Sequence, residues 1–76
     1  MKRVGTVVRT AGGLAIARAE TGEEPPGIGA PVVDESLATV GRVVDVFGPV
    51  DRPYVAVTPG SADGLTSLIG TKLYAR

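Results

Sequence analysis

The chain has 76 residues, 43% of them hydrophobic, with eight basic and eight acidic side chains. This hydrophobic content excludes a disordered segment, and the length allows one small core, so we expect a single domain over residues 1–76. The sequence contains no cysteine and no histidine, which excludes disulfide and thiolate-zinc frameworks and removes the commonest general base.

The charge balance and the apolar runs limit the partners and the compartment. A protein that binds nucleic acid through phosphates usually carries a basic surplus, and this chain has none. No apolar run approaches the roughly 20 residues of a membrane helix, and Gly5, Thr6 and Arg9 interrupt any signal-peptide core after Met1. We therefore expect a soluble, cytoplasmic protein.

Short valine-rich runs separated by glycine and proline are typical of an all-β domain. The first two runs flank Gly12-Gly13. A two-residue turn there would place Arg9 opposite Ile16, whereas a three-residue turn pairs Val8 with Ile16 and keeps apolar side chains on one face. Because a one-residue slip moves every side chain to the other face, the apolar pattern favours the three-residue turn.

Six strands are predicted along the whole chain. A polar loop at 19–27 precedes the third strand, and one helical turn at 65–69 precedes the last. Gly41 inside the fourth strand predicts a β-bulge or a close approach of another backbone. An open sheet of this size would expose its edges, so we expect a small closed six-stranded barrel. The strands are predicted at residues 3–10, 14–18, 31–34, 40–47, 54–58 and 72–75.

The turn after the fourth strand is the strongest candidate for a binding surface. Phe47 and Tyr54 are two of the three aromatic residues of the chain, and Pro49 and Pro53 stiffen the segment between them. Rigid aromatic groups tend to carry binding energy, which predicts an interface anchor. The alternative is that Phe47 closes one end of the barrel and Tyr54 covers it.

Several short motifs along the chain match one family pattern. This pattern resembles the core of the glycine/arginine-rich-protein family of H/ACA ribonucleoproteins, with Arg42 in place of the usual lysine. The glycine/arginine-rich tails of eukaryotic members are absent, which indicates an archaeal form. The matching residues are Ile28-Gly29, Val32, Asp34, Gly41-Arg42-Val43, Asp45, Phe47-Gly48-Pro49-Val50, Pro53-Tyr54, Gly70 and Leu73-Tyr74.

The resemblance implies a barrel of the reductase/isomerase/elongation-factor type. Such subunits bind the catalytic domain of a dyskerin-type pseudouridine synthase and promote substrate loading and product release. They perform no chemistry themselves and meet guide and substrate RNA only through the complex. We accordingly expect no cofactor, metal or small-molecule substrate. We expect the partner-binding surface to comprise Ile28, Val44, Phe47, Gly48, Pro49, Val50, Pro53 and Tyr54.

Three other interpretations compete with this one. Residues 32–48 also resemble PRC-barrel adaptor domains of ribosome-maturation factors, which do not typically share the later Phe-Gly-Pro-Val and Pro-Tyr motifs. An RNA-binding barrel would require basic and aromatic residues interleaved on a strand, which this sequence lacks. An enzyme would have to use carboxylates such as Asp34, Glu35 and Asp45, but acids beside turns usually cap the turn or remain solvated.

Overall fold

The six strands form one hydrogen-bonded sheet that closes into a barrel. A computed structural model describes residues 2–20, 24–60 and 65–76. Its strands are all antiparallel and follow the order β1-β2-β5-β4-β3-β6 around a closed barrel. The elements are β1 (Lys2–Ala11), β2 (Leu14–Arg18), β3 (Pro31–Val33), β4 (Thr39–Phe47), β5 (Tyr54–Pro59), a 3₁₀ turn (Leu65–Leu68) and β6 (Lys72–Ala75).

The all-β class and the closed six-stranded barrel predicted from the sequence are confirmed. Each predicted strand overlaps an observed one, and the predicted helical turn is the 3₁₀ turn before β6. Residues 21–23 of the predicted polar loop lie outside the described part of the chain.

Small β-branched side chains fill the inside of the barrel. Alternation along β5 points Val55 and Val57 into the core, where both are fully buried, and Ala56 to the opposite face. Valine suits this position because its branched side chain packs well on a pleated surface. The largest fully buried side chains are Leu73, Val4, Val7, Val32, Val33, Val43, Val55 and Val57.

The hairpin between β1 and β2 differs from the sequence prediction. Gly12 and Gly13 form a two-residue turn with φ of 56° and 80°, and Arg9 pairs with Ile16. The predicted three-residue turn is therefore wrong. A β-bulge at Val8, between the pairs Val7–Ala17 and Arg9–Ile16, takes up the extra residue. Val7 stays in the core as a result, while Ile16 lies on the outer face.

Gly41 lies where two strand backbones come close together. A Cβ atom at this position would overlap the carbonyl oxygen of Thr58 in β5. Gly41 is buried, so a side chain there has no open space to occupy. The close backbone approach predicted for this glycine is confirmed.

The loop between β3 and β4 is held by one carboxylate. Asp34 Oδ1 accepts hydrogen bonds from the Ser36 hydroxyl (2.7 Å), the Ser36 backbone N–H (2.8 Å) and the Ala38 backbone N–H (3.1 Å). These bonds hold Leu37 at φ 68°, a left-handed conformation that is uncommon for leucine. The hydrogen bond from the Ser36 hydroxyl, together with those from the backbone of Ala38 and Ser36, lowers the pKa of Asp34.

We expect Asp34→Ala to lower the denaturant midpoint of unfolding at neutral pH, because three donors lose their acceptor. The lowered pKa means that the ionised carboxylate stabilises the fold above its ordinary pKa of about 3.9. This stabilisation decreases as the pH falls below that value and is lost as the pH falls through the lower pKa of the folded protein, so the midpoints of wild type and variant should converge at low pH. Glu35→Ala, which replaces an exposed acidic residue in the same loop, is the matched control. It should change neither the unfolding midpoint at neutral pH nor the dependence of that midpoint on pH. A constant difference between wild type and Asp34→Ala down to pH 2 would contradict this account.

Candidate interface at the β4–β5 turn

Phe47 and Tyr54 face each other where β4 ends and β5 begins. They are register partners, and their rings stack with centroids 5.6 Å apart at an interplanar angle of 19°. Gly48 follows Phe47 with φ 94°, and a Cβ there would lie 2.9 Å from Cδ2 of Tyr54. Glycine at position 48 therefore permits both the turn and the ring position, and stacking of this kind stabilises the pair beyond its buried area.

The turn presents apolar groups to solvent. Val50 is 97% exposed, Phe47 is 38% exposed, and Gly48 and Pro49 are exposed as well. The N–H of Arg52 donates to the carbonyl of Pro49 at 3.2 Å and closes the turn. An exposed apolar group on a closed, proline-containing turn loses little conformational entropy when a partner covers it.

Pro53 is buried, whereas the other residues of the predicted surface are exposed or half-buried. Its side chain is buried, and its carbonyl accepts a hydrogen bond from the Ala19 N–H at 2.9 Å. Pro53 thus ties the turn to the segment that follows β2. Tyr54, the next residue, is half-buried.

Ile28 and Val44 form a second apolar patch further along β4. The Gly29 N–H donates to the Val43 carbonyl at 2.7 Å, which places the segment containing Ile28 beside β4. Ile28 is 66% exposed, and Val44, the bulged residue of β4, is 41% exposed. Since a strand rises about 3.3 Å per residue, Val44 lies roughly 10 Å along the strand from Phe47. The structure therefore groups the predicted residues into the turn and this neighbouring pair.

Two arginines that the sequence analysis did not select lie over Tyr54. The guanidinium carbon of Arg18 is 5.2 Å from the ring centroid, and that of Arg9 is 6.0 Å away. Arg18 on β2 is the register partner of Tyr54 on β5. Basic and aromatic residues thus meet across strands, in a contact that the pattern of a single strand does not show.

The same outer face carries buried apolar side chains. Ile16 and Ala56 are register partners with exposed fractions below 5%, yet neither belongs to the core cluster. Their neighbours Ala15 and Val57 point into the core, so Ile16 and Ala56 point outward. The outer face of β2 and β5 therefore carries this buried apolar pair beside the Arg18–Tyr54 pair.

Two of the three carboxylates considered for catalysis, Asp34 and Asp45, have structural partners. Asp34 holds its own loop, and Asp45 Oδ1 accepts a hydrogen bond from the Val46 N–H at 2.8 Å. Within residues 2–20, 24–60 and 65–76, no group of three or more acidic side chains is arranged to hold a metal ion. No helix in the described part of the chain has the length and apolarity needed to cross a membrane.

Comparison with known proteins agrees with the family resemblance seen in the motifs. Residues 1–76 match the family described as the Gar1/Naf1 RNA binding region. An uncharacterized protein of Methanothermobacter thermautotrophicus is 31% identical over 78 residues, which cover 97% of this chain and 82% of that protein. The chain belongs to the Gar1/Naf1 family.

Proposed function

We propose that the chain is a non-catalytic, cytoplasmic accessory subunit of an archaeal box H/ACA RNA-guided pseudouridylation complex. In this proposal it docks on the catalytic domain of a dyskerin-type pseudouridine synthase and promotes substrate loading and turnover in rRNA modification. Membership of the Gar1/Naf1 family supports an RNA-associated complex. The observation that carries the docking step is the closed turn with the stacked pair Phe47 and Tyr54.

The docking surface consists of Ile28, Val44, Phe47, Gly48, Pro49, Val50 and Tyr54, with Pro53 as the buried support of the turn. Its exposed side chains are apolar and lie on a strand, a turn and one adjoining segment. A stable complex of this kind buries about 1,200–2,000 Å² in total. The turn and the Ile28–Val44 patch together provide an apolar centre for such an interface.

Protein docking explains the charge of the chain better than direct RNA binding. The eight basic and eight acidic side chains balance, whereas proteins that hold RNA through several phosphates present a surplus of basic groups. The PRC-barrel alternative would also require a protein partner. The family match over residues 1–76 favours the H/ACA assignment over it.

The proposal is tested by titrating the purified chain into an archaeal dyskerin-type synthase in a calorimeter, with guide RNA alone in a parallel titration. We expect binding to the synthase and no measurable binding to free RNA. Addition of the chain should also raise the multiple-turnover rate of the guide-RNA-loaded synthase. Binding to guide RNA without binding to the synthase would assign the chain to a direct RNA-binding role instead.

A further inference from the structure

A charged cleft borders the proposed docking surface. It has a volume of about 380 Å³ and is lined by Thr6, Val8, Arg18, Glu20 and Arg52. Arg18 also packs on Tyr54, and Arg52 belongs to the β4–β5 turn. The cleft is therefore continuous with the surface that carries Phe47 and Tyr54.

Arg18 has an unused donor at this position. Its Nε atom is buried and has no hydrogen-bond partner among the described residues. A buried charged donor without an acceptor is energetically costly, so such a group in a native protein calls for an explanation. An acceptor supplied by another molecule in the cleft would meet the terminal nitrogens of the same guanidinium, which form no hydrogen bond or ion pair within the described residues, and would offset its charge.

The guanidinium of Arg52 lies at the same cleft. Its Nε donates to the Ala19 carbonyl at 3.2 Å. No other hydrogen bond or ion pair of this side chain is present within the described residues. The Ala19 bond fixes the side chain, while its terminal nitrogens remain available as donors.

Among the described residues that line the cleft, the one acidic side chain is already paired. Glu20 Oε1 lies 3.0 Å from Nη1 of Arg3. Since Arg3 neutralises Glu20, the charge of the cleft is set by the two guanidinium groups of Arg18 and Arg52. A planar carboxylate fits such groups because it accepts two parallel N–H bonds from one guanidinium.

We propose that this cleft binds an aspartate or glutamate side chain of the protein that docks on the Phe47–Tyr54 surface. The inference rests on the proposed function and adds a charged contact to an otherwise apolar interface. The carboxylate bonds to a terminal nitrogen of Arg18 and to one of Arg52, with the Thr6 hydroxyl nearby as a further donor. Arginine beside aromatic residues is a frequent composition at the energetic centre of protein interfaces.

An RNA phosphate is the competing occupant and fits less well. RNA binding through phosphates requires a row of cations that follows the backbone. Here Glu20 and the apolar Val8 lie beside the two arginines. A single carboxylate needs only the pair of guanidinium groups that the cleft provides.

The test compares Arg18→Gln, Arg52→Gln and wild type in calorimetric titrations against the dyskerin-type synthase and against guide RNA, at several salt concentrations. We expect each variant to bind the synthase about tenfold or more weakly than wild type, with a shallower dependence of affinity on salt. Lys2→Gln is the matched control. Lys2 Nζ also donates to a backbone carbonyl, that of Pro25 at 3.3 Å, but it lies outside this cleft, so its loss should leave the affinity unchanged.

The outcomes separate this inference from the proposed function. Failure of the wild-type chain to bind the synthase would overturn both. Wild-type binding that Arg18→Gln and Arg52→Gln leave unchanged would overturn the carboxylate cleft alone. If the two variants bind guide RNA more weakly than wild type but bind the synthase equally well, the cleft would be reassigned to a phosphate.

The thermal unfolding of each variant is measured as well, because Arg18 packs on Tyr54 and its replacement could disturb the fold. Arg52→Gln alters an exposed residue and decides the result if Arg18→Gln fails to fold.

Discussion

Gly41→Ala is expected to destabilise the barrel by about 3 kcal/mol or more. The added methyl group would overlap the carbonyl oxygen of Thr58, which belongs to the backbone of β5 and cannot rotate away. To remove this overlap, β4 and β5 would have to separate at this point, with loss of the hydrogen bonds between the two strands. Domains of this size have a total unfolding free energy of roughly 4–11 kcal/mol, so this substitution would remove about a quarter to three quarters of it.

Chemical denaturation followed by circular dichroism measures this effect, with Gly27→Ala as the control. Gly27 is also a glycine in the described chain, but it has no atom within 4 Å of an added Cβ and no positive φ. Its replacement should change the unfolding free energy by about 0.5 kcal/mol or less. Equal midpoints for the two variants would mean that the barrel adapts at Gly41 and that the close approach to Thr58 is not a constraint.

The sequence predicted the strands well because each strand has a strong local signal. Valine-rich runs with period-two alternation are bounded by glycine and proline, and this chain offers little helical periodicity to compete with them. Closure into a barrel followed from the need to protect strand edges. Gly41 was predictable for the same reason, since a glycine inside such a run is costly unless another backbone lies close to it.

The hairpin register was not predictable from alternation alone. In a regular ladder, Arg9 opposite Ile16 would mix an inner face with an outer one. The bulge at Val8 removes that conflict, and Ile16 faces outward, where it pairs with Ala56. A bulge depends on the partner strand, so a one-strand pattern contains no direct signal for it.

The cation–aromatic part of the site was missed for a related reason. Arg18 and Tyr54 are far apart in sequence and meet only because β2 pairs with β5 around the barrel. The aromatic pair itself was visible, since Phe47 and Tyr54 flank one short turn. Long-range strand pairing therefore determines which charged residues join a surface that local sequence can identify.

Phe47→Ala is expected to weaken binding to the dyskerin-type synthase by about 2 kcal/mol or more, a loss of roughly thirtyfold in affinity. Phe47 is partly exposed, stacks on Tyr54, and is absent from both the core and the side chains packed against it. Truncation thus removes contact area from the interface while leaving the barrel interior intact. Tyr54→Ala should weaken binding at least as much, because it also removes the ring on which Arg18 packs.

The matched control is Leu37→Ala, which truncates a side chain that is 52% exposed on a different turn. If any exposed apolar side chain contributed to binding, Phe47→Ala, Tyr54→Ala and Leu37→Ala would all bind the synthase more weakly. An anchor at the β4–β5 turn predicts a loss of affinity for Phe47→Ala and Tyr54→Ala only. Thermal unfolding measured on the same samples tests the alternative that Phe47 closes the barrel end. In that case Phe47→Ala would lower the melting temperature and leave the affinity of the folded protein unchanged, and the docking surface would have to lie elsewhere on the barrel.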